Sequence, residues 1–106
     1  MLVKANDRDK PVEVYGIYWV NNERIYWVIP YAGYEGFATL SECESTIIDP
    51  HIDEVFVMRK NDANKDLLLH WAADKNDLIY DLIEHDPEAM KEFKRRLSKI
   101  NLATHS

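Results

Sequence analysis

The stretch from residue 12 to residue 31 restricts this 106-residue chain more than any other. It holds two of the three tryptophans and four of the six tyrosines. Valine, isoleucine, tyrosine and tryptophan suit pleated, half-buried backbone, and Asn21-Asn22 supplies residues that tolerate the left-handed angles of a tight hairpin turn. With those asparagines as the turn, Val20 faces Glu23 and Gly16 faces Trp27, where a large ring can lie over a strand glycine. A four-residue loop would set Val20 against Ile25 and leave the faces unchanged, because the two registers differ by two residues. Alternation then places Val12, Val14, Gly16, Tyr18, Val20, Ile25, Trp27 and Ile29 on one face. Tyr15, Ile17, Trp19, Arg24, Tyr26 and Val28 take the other, so Trp19 and Trp27 are expected on opposite sides. A sheet with one wet face alternates apolar with polar residues. This hairpin is apolar on both, so its second face is expected to be covered by other elements, with a partner's surface as the alternative.

A second hairpin is expected over residues 52–71, turning at Asn61-Asp62-Ala63-Asn64. Lys60 opposite Lys65 would put Arg59 opposite Asp66, a favourable cross-strand charge pair. One face would hold Phe56, Met58, Leu67, Leu69 and Trp71, the other Val55, Val57, Leu68 and His70. A helix over 64–73 competes, since Leu67-Leu68-Leu69 has no diagnostic period, but the turn chemistry favours strand. Thr46-Ile47-Ile48 is a further short strand, ended by Asp49-Pro50. Ser41 and Glu44 have the spacing of a capping box that opens one helical turn.

The C-terminal third reads as helix. Leu78, Ile79, Leu82 and Ile83 recur at helical spacing over about 75–84, with Asp74 or Asn76 as cap. Asp86-Pro87 starts a second helix over about 87–100, with Met90, Phe93, Leu97 and Ile100 as its apolar stripe and Lys91, Lys94, Arg95, Arg96 and Lys99 around it. The fold class is therefore α+β: an antiparallel sheet of four to five strands with two C-terminal helices packed on one face. Length allows a single domain over 1–106, with loose ends at 1–10 and 101–106.

Composition narrows the function. The single cysteine, Cys43, makes no internal disulfide, and a reducing, cytoplasmic setting is expected. No apolar run reaches the length of a membrane helix, so no membrane association is expected. Net charge is −6. It divides into −9 over residues 1–86 (8 Lys and Arg, 17 Asp and Glu) and +3 over residues 87–106 (5 against 2). An acidic body repels nucleic acid and attracts basic proteins.

Catalytic signatures are weak. The 31–37 loop, with Gly33 and Gly36 among Tyr31, Tyr34 and Phe37, lacks a phosphate-binding pattern. Asp49, His51 and Asp53 alternate as metal ligands would, but so do the polar residues of any exposed loop. No cofactor and no metal are expected. The favoured reading is a non-catalytic protein-binding module: an acidic inhibitor of the immunity-protein or antitoxin type that covers the basic active site of a toxin or nuclease. Its expected contacts are Tyr34 as aromatic anchor, with Glu35, Glu42, Glu44, Asp49, Asp53 and Asp62. Two alternatives stand beside it. One is a small enzyme or ligand-binding domain that uses the 31–37 loop with His70 as general base. The other is an accessory subunit with an oligomer interface on the sheet; the sequence leaves a homodimer open.

Overall fold

The computed structural model describes residues 1–52, 54–61 and 63–105. The fold is α+β, with seven strands in chain order: β1 (Leu2–Ala5), β2 (Val12–Val20), β3 (Glu23–Val28), β4 (Ala38–Ser41), β5 (Ser45–Asp49), β6 (Phe56–Lys60) and β7 (Asp66–His70). The helices are α1 (Trp71–Asp74), α2 (Leu78–Ile83) and α3 (Pro87–His105). All pairings are antiparallel. β2 joins β3 and β7, β3 joins β4, and β7 joins β6. The start of β2 also pairs with β1, which carries β5 on its other side.

The first hairpin closes on its asparagines. Asn21 and Asn22 have φ of 51° and 67°, and Val20 pairs with Glu23 and Gly16 with Trp27, as the turn chemistry requires. A Cβ on Gly16 would lie 2.5 Å from Trp27 Cε3, so the glycine makes room for the indole. Trp27 is buried against the helices, while Trp19 on the opposite face is 38% exposed.

Three expectations for the first hairpin and its surroundings change. A bulge interrupts β2 between Val14 and Gly16, where Val14 pairs with Val28 but Gly16 with Trp27. The extra residue, Tyr15, reverses the phase of the strand. Val12 and Val14 therefore join Ile17, Tyr26 and Val28, and Tyr15 turns to the side of Trp27, Phe37 and Phe93. Residues 1–10 are not a loose end throughout: Met1 and Val3 of the β1 region are buried and complete the cluster of Val14, Ile17, Tyr26 and Val28. Thus the chain's own N-terminus covers the second face around Ile17, Tyr26 and Val28, while Trp19 on that face stays part-exposed. The strand count rises to seven because β1 and β4 are too short to announce themselves by alternation.

The second hairpin is shifted by one residue. Lys60 pairs with Asp66 and Arg59 with Leu67, so Phe56 and Met58 share a face with Leu68 and His70. The reason lies in the loop. Asn61 Oδ1 accepts from the Ala63 and Lys65 amides, and Asn61 N donates to Lys65 O, which draws Lys65 into the turn. The cross-strand ion pair is Lys60–Asp66 at 2.8 Å, and Arg59 instead reaches Asp74 and Asp77. Asp62 lies outside the described residues.

The expected helix over about 75–84 is present as α2, but it starts three residues late. Asn76 and Asp77 have φ of 62° and 55°, so α1 and α2 are separate short helices joined by a single 3-10 turn. Neither Asp74 nor Asn76 caps α2. Asp86 does cap the next helix, with Oδ1 accepting the Glu88 amide at 3.0 Å. Arg96, expected on the wet side of α3, is 7% exposed.

Candidate functional site

The 31–37 loop is seated on the turn between α2 and α3. Gly36 has φ of +106°, and a Cβ there would lie 2.6 Å from Leu82 O and 2.9 Å from His85 Cα. Only glycine permits this approach. The contact is then locked by Phe37 N donating to Leu82 O at 3.0 Å. His85 Nε2 lies 3.1 Å from Phe37 O, and a carbonyl only accepts, so this nitrogen carries the proton. The Tyr34 hydroxyl is 3.4 Å from the same nitrogen. The Tyr34 ring stands edge-on to both Tyr31 and His85, each at 5.3 Å. Tyr31 remains 55% exposed and Tyr34 is half-buried. The result is a braced aromatic tip with the exposed Glu35 beside it. Gly36→Ala is expected to lift the loop from the turn at a cost of about 1–3 kcal/mol. Loss of the Tyr34–His85 contact in side-chain NMR spectra would report it, and an unchanged spectrum would show that the loop yields without strain.

The tip forms one wall of a cavity of about 340 Å³. Its other lining residues include Leu40, Glu44 and, from the segment before β2, Asp7, Arg8 and Lys10. Two carboxylates face two cations there, so the cavity itself is charge-balanced.

Of the expected contacts, the structure brings Tyr34 and Glu44 to this one cavity, with Glu35 next in sequence to Tyr34. Glu42 and Asp49 are elsewhere. Ser41 does not close a capping box on the 3-10 turn of residues 42–44, because its side chain makes no cap bond. Glu42 instead binds Arg24, accepting from the backbone N at 2.8 Å and from Nε at 3.2 Å. The backbone hydrogen bond from Arg24 is the main reason that the Glu42 carboxyl sits below its ordinary range. Asp49, at the far end of β5, accepts the His51 amide in a local turn at 3.0 Å. Asp53 and Asp62 lie outside the described residues. Among the described residues, no group of three or more His, Cys, Asp or Glu side chains converges on a point.

His70 does not join the aromatic tip at the surface. It is 8% exposed, with Tyr15, Phe56 and Phe93 edge-on around it. Its Nδ1 accepts the Ala72 amide at 3.0 Å and so caps α1. The sequence places Tyr31 in the same loop as Tyr34 but does not mark His85, Arg8 and Lys10 as neighbours of that loop. The two glycines marked the loop, but nothing local marks a contact 51 residues away. No protein family, curated protein or solved structure matches the chain. No helix among the described residues is long and apolar enough to cross a membrane.

Proposed function

We propose that this protein is a non-catalytic binding module: an acidic inhibitor of the immunity type, working in the cytoplasm, that covers the basic active site of a toxin or nuclease. The observation that carries the reading is the braced aromatic tip. Tyr31 and Tyr34 are held by His85 and Gly36 in one geometry, at the surface, on a chain of net charge −6. Rigid tyrosines lose little entropy on docking and are frequent hot spots, while an excess of carboxylates speeds encounter with a basic partner. Glu35 and Glu44 are exposed and close to the tip, so they are the carboxylates assigned to steering. Glu42 is not, since reversing it would break its contact with Arg24.

The test is kinetic. The partner sought is a basic toxin or nuclease domain recovered by co-purification from the native host. Its association with the wild type is expected to slow about tenfold or more as salt rises, and with Glu35→Lys/Glu44→Lys already at low salt. Tyr34→Ala is expected to act on dissociation, weakening binding by about 2 kcal/mol or more. Association that ignores both salt and the charge reversal would defeat the reading. The cavity beside the tip favours a second reading, a small-ligand site bounded by Tyr31, Tyr34 and Arg8, because its volume of about 340 Å³ falls within the range of ligand pockets.

A further inference from the structure

The helical layer carries a division of charge that the aromatic tip does not use. Residues 76–90 hold five carboxylates and neither lysine nor arginine, whereas residues 91–99 hold five cations and one carboxylate, Glu92. α2 and α3 pack together through buried Ile79, Leu82, Met90 and Phe93. Arg96 is buried, so the outward charges are Asp81 and Glu84 on α2 and Lys91, Lys94, Arg95 and Lys99 on α3.

The outer side of α2 is also apolar. Tyr80 and Ile83, three residues apart on one helix face, are each 42% exposed. Asp81 and Glu84 are exposed beside them, and neither side chain has a partner among the described residues. On α3, Lys91 is exposed and paired only with the equally exposed Glu88, and Lys94 is exposed without a partner.

We propose that this face is the interface of a homodimer, with α2 of each copy seated over residues 91–99 of the other. A two-fold axis lying in the interface makes the contact isologous, so that each acidic strip meets a basic strip, twice. Charge selects this arrangement. Setting α2 on α2 would oppose carboxylate to carboxylate, and α3 on α3 would oppose cations. The methylene stems of Lys91 and Lys94 offer apolar cover for Tyr80 and Ile83 while their ammonium groups reach Asp81 and Glu84. Surface ion pairs alone are weak, so the two apolar side chains supply affinity and the charges supply register.

Sedimentation of the full chain over a concentration series is the experiment. The mass is expected to rise to twice the 12.5 kDa of one chain. Both high salt and Ile83→Lys are expected to raise the dissociation constant about tenfold or more. Ile83 is exposed, so circular dichroism and melting temperature should stay those of the wild type. A charge swap completes the test. Asp81→Lys/Glu84→Lys and Lys91→Glu/Lys94→Glu are each expected to be monomeric alone and to form a heterodimer when mixed, since mixing restores opposite charge in both halves of the interface. A wild type that stays monomeric at every concentration overturns the proposal and leaves Tyr80 and Ile83 to a different partner. So does a dimer that ignores Ile83→Lys, or swapped variants that fail to pair.

Discussion

Phe93→Ala is expected to lower the free energy of unfolding by about 3–5 kcal/mol, at the upper end of single-residue effects. The ring has no exposed surface and stands edge-on to Tyr15 at 5.1 Å and to Phe37 at 5.2 Å. It therefore touches the bulge of β2 and the end of the 31–37 loop from a single position on α3. Neighbours fixed in β2, in the loop and, through His70, in β7 cannot all collapse into the space that the ring leaves, and an uncollapsed cavity adds to the lost transfer energy. Chemical denaturation followed by fluorescence and by circular dichroism measures the loss. A midpoint close to that of the wild type would mean that α3 is only loosely attached to the sheet. Phe93→Leu, which keeps most of the volume, is expected to cost less.

Arg96→Ala is expected to cost about 3–5 kcal/mol, as removal of a buried charge that donates four hydrogen bonds does. The guanidinium donates from Nη1 to Ala72 O at 2.9 Å and to Lys75 O at 2.8 Å, from Nη2 to Asn76 Oδ1 at 3.1 Å, and from Nε to Glu92 Oε1 at 3.2 Å. These acceptors cluster where α1 ends and the chain passes through the left-handed Asn76 and Asp77. Without the arginine, two carbonyls lose their side-chain donor. Lysine should not restore the fork, because an ammonium cannot reach the same acceptors in one plane. Arg95→Ala is the control. Arg95 is exposed and pairs with Glu92 at the surface, where water screens the charges, so its loss should lower stability far less than Arg96→Ala. Glu92 adds a pH dependence of known sign. Hydrogen bonds from Arg95 foremost, and then Arg96, hold its carboxyl down to about 2. A carboxyl depressed by folding stabilises above its unfolded range, and that contribution fades as acid takes the pH down toward the folded value. Thermal unfolding measured between neutral pH and strong acid should therefore lose part of its acid sensitivity in Glu92→Gln.

How far the sequence anticipates this architecture depends on how local each cause is. The Asn21-Asn22 turn, the register of Gly16 with Trp27, and the Asp86-Pro87 start of α3 are decided by neighbouring residues, and all three were legible. The bulge at Tyr15 was not, because no residue type demands it. It follows from the need to place an aromatic ring among Phe37, His70 and Phe93, residues far along the chain. The register of the second hairpin failed for a similar reason. The Asn61 side chain recruits Lys65 into the turn, a choice that composition alone does not reveal. Arg96 read as one of five surface cations, since its acceptors are backbone carbonyls without any sequence signature. The site was partly legible. The glycines marked the 31–37 loop and Tyr34 stood out within it, but the brace from His85 and the engagement of Glu42 by Arg24 are tertiary contacts.

The extra residue in β2 has a consequence for tolerance to insertion and deletion. Upstream of Tyr15 the strand feeds the cluster under β1, and downstream its glycine face meets the helices. The strand behaves as two gears meshed through a half-step. Deleting Tyr15 would make the strand regular and leave Val14 opposite Val28 and Gly16 opposite Trp27, so both halves would keep their faces and only the ring beside Phe37, His70 and Phe93 would be lost. A one-residue insertion beside the bulge has no such escape: it would turn one half of the strand against the other and carry its side chains away from one of the two interiors.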